Sequence, residues 1–551
     1  MTACVCLVED GLFATAKLWS NTSTELDSSP FPSLMEASLE DLVTGLESGL
    51  FTSVDLVNAY TARMLEVNST LKIVTEINPD ALSIAAELDA ARTNGTIYGS
   101  LHGIPILLKN NIATADDMEN TAGSYALLGA KVPEDSTIAA KLRKAGAIIL
   151  GKTNLSQWAN FRSSNTSNGW SALGGQTEAA YYPGQDPSGS SSGSGVASSL
   201  GLALASIGTE TDGSILSPSN VNNLVGIKPS VGLTSRYLVI PISEHQDTVG
   251  PLARTVKDAA YVLSAIVGYD SKDNYTSAIP FKKTPDYVAA CNYFALAGKR
   301  IGVPRNIISS SQAQAPIISA FNDALKVLRA GGATVVDNLN LPGYELANEG
   351  GYEDIVLEAD FIANLEQYVS KLTVNPQNIT SAASLKDFTQ SHPLEEWPQR
   401  DTRVWEEALN LTFSNSSPEL WGNYSAQVYA AGLLGITGAL KNYSLDALVV
   451  PTAFASGLPA MLGSPVVTVP LGRFPANTTV AKNRFGNLVA RAPNIPFGIS
   501  FLGSRFSEET LIGLAYAFEQ RTQVRSTIVP YIQPITELAQ VVAKRKSREW
   551  N

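Results

Sequence analysis

Histidine and cysteine are scarce in this 551-residue chain, which holds three of each. Three histidines, His102, His245 and His392, leave little material for catalysis built on an imidazole base. Cys4 and Cys6 lie near the N-terminus and Cys291 stands alone, so no intrachain disulfide framework is implied. A C-x-C pair without further ligands makes a poor metal site, and no metal is expected. Basic charge is also short, with 39 Lys+Arg against 51 Asp+Glu and a formal net charge of −12. Phosphate backbones need a concentrated basic face, so nucleic acid is excluded as the main partner. The one basic cluster, Lys544-Arg545-Lys546, reads as the solvated end of a C-terminal helix, where it suits the helix dipole. No apolar run reaches the roughly 20 residues a spanning helix needs. The stretch 196–207 is too short and is interrupted by Ser198, Ser199 and Ser206. Glu9 and Asp10 break up the first residues, with no basic segment before an apolar core, so these do not read as a signal peptide.

What is present is ample apolar material, 44% of residues against 16% charged, enough for a large globular core. N-x-[ST] sequons are in excess. They occur at Asn21, Asn68, Asn94, Asn154, Asn165, Asn274, Asn378, Asn410, Asn415, Asn423, Asn442 and Asn477, where composition would give roughly six. That excess points toward secretion and glycosylation while the N-terminus does not, which leaves localisation open. Asn154 lies in a segment expected to be buried and reads as a false positive.

Residues 1–36 read as a loose tail and 37–540 as one large domain: a core at about 100–270, a variable polar middle at about 271–440, and a return to the core at about 441–540. Helices are expected from Ser38, a capping-box-like start, and from Ser53, with further helices at 136–145, 196–205, 317–330 and 508–521. Apolar runs at 104–108, 147–150, 445–450 and 466–470 read as buried strands.

Three motifs compete for the chemistry. Gly146 to Thr153 matches the phosphate-loop pattern G-x-x-x-x-G-K-[ST], but its middle residues, Ala147, Ile148, Ile149 and Leu150, read as a strand rather than a cradle of N–H groups. Gly189-Ser190-Ser191-Ser192-Gly193 fits the G-x-S-x-G elbow with Ser191 as nucleophile. That arrangement needs a downstream acid and histidine, and nothing around His245 or His392 is diagnostic. The third reading joins Lys109, at the end of the apolar run Ile106-Leu107-Leu108, with the serine-rich segment 188–195 and with Gly208-Thr209-Glu210-Thr211-Asp212-Gly213-Ser214-Ile215. Amide hydrolysis needs a nucleophile, a base and donors for the oxyanion. With histidine scarce, a lysine can be the base if it is neutral. Lowering its pKa by about three units takes roughly 4 kcal/mol, which burial can supply.

These segments resemble the amidase signature family of serine hydrolases. Its pattern, approximately G-x-P-x-x-x-K-D-N, G-K-x-N, G-S-S-x-G-S, G-T-[DE]-T-x-G-S-I and K-P, is met at Gly103–Asn111, Gly151–Asn154, Gly189–Ser194, Gly208–Ile215 and Lys228-Pro229. The resemblance covers most of residues 38–525. It implies an α/β/α sandwich with a central mixed sheet flanked by helices, and a Ser–cisSer–Lys apparatus needing no cofactor. Nucleophile, bridging serine and base fall on Ser214, Ser190 and Lys109. The oxyanion donors fall on the backbone of Thr211, Asp212, Gly213 and Ser214. Trp158-Ala159-Asn160-Phe161-Arg162-Ser163, Gly174-Gly175-Gln176-Thr177 and Ile240 to Thr248 look most similar to bacterial peptide amidases, which implies a small-molecule or peptide amide substrate. The family also contains the amidase-like subunit of tRNA-dependent amidotransferases, and a catalytically silent binding protein is a further alternative. Oligomeric state is not readable. The chain departs from the pattern at Asn110, usually Asp, and at Asp212, often Gly. Asp212 would repel anionic substrates if it faced the pocket. Asp247, Arg254, Lys228 and His245 read as loop-pinning residues, and Trp158, Phe161 and Trp170 as core aromatics.

Overall fold

Strong local signals set the first elements. In the computed structural model, which describes residues 30–308 and 315–549, Ser38 caps the helix Leu39–Glu47 in a reciprocal capping box with Asp41. Thr52 does the same with Asp55 for the helix Ser53–Leu71. Of the stretch read as a tail, residues 1–29, with Cys4, Cys6 and Asn21, lie outside the described residues. By Leu34 the chain is already packed: this side chain is buried and its backbone N–H donates to Glu537 at 2.7 Å.

Among the described residues, eleven strands form one sheet. In chain order they are β1 (Val74–Ile77), β2 (Pro105–Lys109), β3 (Ile148–Thr153), β4 (Ala205–Glu210), β5 (Val225–Lys228), β6 (Thr248–Ala253), β7 (Arg300–Pro304), β8 (Thr334–Leu339), β9 (Ala447–Pro451), β10 (Val466–Arg473) and β11 (Pro496–Leu502). Their spatial order is β1-β3-β2-β4-β6-β5-β10-β11-β9-β7-β8. The sheet is mixed: β2 is parallel to β3 and β4, whereas β4–β6, β5–β10 and β10–β11 are antiparallel. Every residue of β2, β3, β4, β6, β9 and β11 is buried. A strand buried at both odd and even positions must be covered on both faces, and the helices Ser192–Ser199, Val256–Ile266, Ala315–Ala330 and Glu508–Thr522 pack against the sheet. This is the α/β/α sandwich expected. Its core draws on residues from Leu34 to Val542. A smaller cluster forms where Trp158 meets Phe361, Leu365 and Trp405 of the middle region.

One local expectation is corrected. The helix placed at 196–205 begins at Ser192 and ends at Ser199, because Gly201 adopts a left-handed φ of 58° that halts it and lets the chain turn into β4. The phosphate-loop match is a buried strand, as expected: Lys152 sits inside β3 with Nζ donating to the Ile112 carbonyl and Asn120 Oδ1, both at 2.6 Å.

Candidate active site

The site begins where β2 and β4 end side by side. Their parallel register pairs Leu108 with Ile207, which brings Thr209 up to Lys109. Lys109 is fully buried. Its Nζ donates to Ser190 Oγ at 2.7 Å, to Thr209 Oγ1 at 2.8 Å and to the Thr209 carbonyl at 3.3 Å. Burial pushes the ammonium down to about 7, against the pull of Asp247 and Glu210, whose charges favour the protonated form. Asn111 Nδ2 donates to Thr209 Oγ1 at 3.0 Å, and the Asn111 carbonyl accepts from Ile240 N–H at 2.8 Å, tying the 240–247 loop to the same network.

Ser190 follows a cis peptide after Gly189. A Cβ at position 189 would collide with the Ser156 hydroxyl, so only glycine lets this segment lie against the loop at Ser156, whose N–H donates to the Ser190 carbonyl at 3.0 Å. Ser190 is fully buried. The next residue joins it to the nucleophile segment: Ser191 N–H donates to the Ser214 carbonyl at 3.2 Å. Ser191 Oγ itself donates to the Thr209 carbonyl at 3.1 Å. The structure therefore brings Lys109, Ser190 and the Ser214 segment together and leaves Ser191 in a structural bond.

Ser214 lies in the turn between β4 and the helix Leu216–Val221. Gly213 takes a φ of 81°, a left-handed conformation that a side chain would strain. Glu210 is buried, and its Oε2 accepts the N–H groups of Ile215 and Leu216 at 2.7 and 2.9 Å. Those helix-end donors are thereby consumed. Among the described residues none accepts from the backbone N–H of Asp212, Gly213 or Ser214, so these donors are free for a developing oxyanion. Burial raises the Glu210 pKa, partly countered by Lys228.

Asp212 is exposed to a partly open cavity of about 110 Å³ whose walls include Ile307, Leu341, Phe454, Leu458 and Glu353. Although its side chain is open to this cavity, desolvation at that depth raises the pKa of Asp212 against a hydrogen bond with Ser456 and the charge of Lys228. Glu353 is pushed up to about 8 by burial and then by Asp212, while Gln246 Nε2 donates to its Oε1 at 2.7 Å.

Neighbouring polar residues hold loops. Asn110 Oδ1 accepts from Thr121 N–H and Oγ1 at 3.0 and 2.7 Å, so the amide that stands in place of Asp pins the following loop. Lys228 Nζ donates to the Ser464 carbonyl at 2.8 Å, and Arg254 donates to the carbonyls of Ser198, Ala203 and Ala37. His245 Nδ1 meets Asp360 Oδ2 at 2.7 Å, the same carboxylate oxygen that accepts from Ser243 at 2.5 Å. Asn154 is buried, with Nδ2 donating to Thr177 Oγ1 at 3.0 Å, which disposes of that sequon. Thr209, Asn111 and Glu353 were not singled out from sequence. The first two sit inside motif segments and could have been; Glu353 lies in the middle region with no local signal. No cluster of metal-ligating side chains occurs among the described residues, and no helix among them is long and apolar enough to cross a membrane.

The Amidase family model matches residues 55–512. A protein of Arthroderma benhamiae named "Putative amidase" is 52% identical over 92% of this chain and 89% of its own length. The native peptide amidase of Stenotrophomonas maltophilia superposes with a TM-score of 0.81 at 39% identity, covering 91% of this chain and 99% of that one. A glutamyl-tRNA(Gln) amidotransferase subunit of Thermosynechococcus vestitus is 32% identical over 86% of this chain and 95% of its own length.

Proposed function

Because the chain belongs to the Amidase family and is an amide-hydrolysing enzyme, we propose that it converts a carboxamide to a carboxylate and ammonia through an acyl-enzyme on Ser214. The observation that carries this reading is the buried Lys109 amine 2.7 Å from Ser190 Oγ, with Ser191 hydrogen-bonded to the Ser214 carbonyl. Neutral Lys109 accepts the Ser190 proton as Ser190 takes the proton of Ser214 and Ser214 Oγ bonds to the amide carbon. The carbonyl electrons move onto oxygen, held by the free N–H groups of Asp212, Gly213 and Ser214 together with that of Thr211. As the tetrahedral adduct collapses, Ser190 protonates the departing nitrogen and the Lys109 ammonium returns a proton to Ser190. The C–N bond breaks and ammonia leaves. Water then attacks the ester through the same relay in reverse. This relay needs no metal or organic cofactor.

The similarity to the Stenotrophomonas peptide amidase supports C-terminally amidated peptides as the substrate class. Ammonia release from amidated dipeptides, beside simple aliphatic and aryl amides and with Ser214→Ala as blank, tests it. Release confined to peptide amides is expected; release from small amides alone overturns the substrate class. The similarity to a component of an amidotransferase supports a second reading, ammonia delivery within a complex, for which stable co-purification with partner proteins is the discriminating result.

A further inference from the structure

The antiparallel register of β4 and β6 pairs Glu210 with Thr248, so the residues just past these strand ends, Thr211 and Asp247, face each other. Thr211 Oγ1 donates to Asp247 Oδ1 at 2.6 Å. The other carboxylate oxygen, Oδ2, accepts from the N–H groups of Ile242 and Ser243 at 2.8 and 3.1 Å. One half-buried side chain thus clamps the first residue of the oxyanion turn to the loop that also closes over Asn111 and Thr209. The mechanism above gives Asp247 no task, and a loop fastened at Ser243 and His245 to Asp360 has anchors of its own.

We infer that Asp247 is a positioning residue for the hydrolysis: it sets the direction of the Thr211 end of the oxyanion turn and ties it to the 240–247 loop that closes over Asn111. This rests on the Ser214–Ser190–Lys109 reading. Two physical consequences separate it from simple loop-pinning. The far end of the turn is held by Ser217 N–H on the Gly213 carbonyl and Ser191 N–H on the Ser214 carbonyl, while at its Thr211 end the charge-assisted bond to Asp247 is the side-chain contact that fixes it. The carboxylate also favours the ammonium form of Lys109 and is the largest of the charges that do so. Burial pushes Asp247 up to about 6, against the hydrogen bonds from Thr211, Ile242 and Ser243 that favour its charged form. The charged groups around the pair are Glu210, on the Lys109 side, and Arg236, Glu244, Lys272, Asp273 and Lys371 along the cavity behind Asp247. Arg236 is committed to Asp273 through Nε and Nη2.

The test compares Asp247→Asn and Thr211→Val with the parent enzyme and Ser214→Ala, recording kcat, KM and the pH dependence of kcat/KM, with melting temperature as a folding control. Asp247→Asn is expected to lower kcat on the order of 10- to 100-fold with KM little changed. Removing the charge also makes Lys109 easier to deprotonate, so the acidic limb should move to lower pH by on the order of 0.5 unit. Thr211→Val keeps the carboxylate, so it should lose about 10-fold in kcat with the limb in place. Parent-like kcat in both variants, or a rate loss in Asp247→Asn with an unmoved limb and a parent-like Thr211→Val, overturns the inference. Turnover persisting in Ser214→Ala overturns the reading beneath it instead.

Discussion

Replacing Lys109 by methionine should destroy activity and, at neutral pH and below, make the protein more stable. In the folded chain burial lowers the Lys109 pKa from 10.5 to about 7, while the unfolded chain keeps the ordinary value. Below pH 7 both states are protonated and folding bears the full cost of taking the ammonium out of water. Between 7 and 10.5 the unfolded state binds the extra proton, so stability rises with pH. Above that the penalty is gone. The depression corresponds to a penalty on the order of 5 kcal/mol at pH 7. Methionine matches the length of the side chain and removes the penalty, but it forfeits the bonds to Ser190 and Thr209, each about 1 kcal/mol, and leaves hydroxyls to find other partners. The net expectation is a gain of roughly 1–2 kcal/mol at pH 6–7 that shrinks toward zero or reverses near pH 10. Thermal or urea unfolding of parent and Lys109→Met at pH 6, 7, 8 and 9.5, beside an activity assay, reads both limbs. A variant that is less stable than the parent at pH 6, or whose stability difference does not depend on pH, refutes the claim that the base is held neutral by burial.

Two further outcomes follow from named contacts. Arg162 and Glu395 form a buried ion pair at 2.9 Å, with Ser124 Oγ and Gln157 Nε2 both donating to the same carboxylate at 2.7 Å; Arg162→Met leaves that charge unpaired and should cost about 3–5 kcal/mol in urea unfolding, whereas an unchanged midpoint would mean the pair is not a fastening of the middle region. Burial holds Glu353 protonated until about pH 8, so Glu353→Gln should leave KM for amides carrying a carboxylate on the acyl chain unchanged at pH 6.5 and lower it on the order of 10-fold, relative to neutral amides, at pH 9; equal KM ratios in parent and variant at pH 9 would place the acyl chain elsewhere.

How much of this was legible in sequence depends on how far apart the interacting residues lie. Lys109, Ser190 and Ser214 each sit in a short segment whose composition is forced locally. Gly189 must be small because Ser156 lies against it, and Gly213 takes a left-handed φ. The sheet was legible where strands are continuously apolar, as in β2 and β9, because both faces are covered. The helix boundary at Ser192–Ser199 was misplaced because serine and glycine carry no apolar period, and its N-terminal half is buried by contacts that sequence does not show. Glu353, Asp360 and Glu395 were invisible: their partners Gln246, His245 and Arg162 lie 107, 115 and 233 residues away, across a polar middle region without motif. Asp247 was read as a loop pin from its motif, and its bond to Thr211 appears only once the register of β4 and β6 is known.

The central claim is that Ser214 is the residue acylated, and covalent capture tests it most directly. The parent enzyme is treated with a fluorophosphonate probe, digested, and the adduct located by peptide mass spectrometry, with Ser214→Ala and Lys109→Ala in parallel. The account predicts a single adduct on the peptide at Ser214, absent from Ser214→Ala and strongly slowed in Lys109→Ala. An adduct on Ser191 or another residue, or labelling that survives Ser214→Ala, would contradict it.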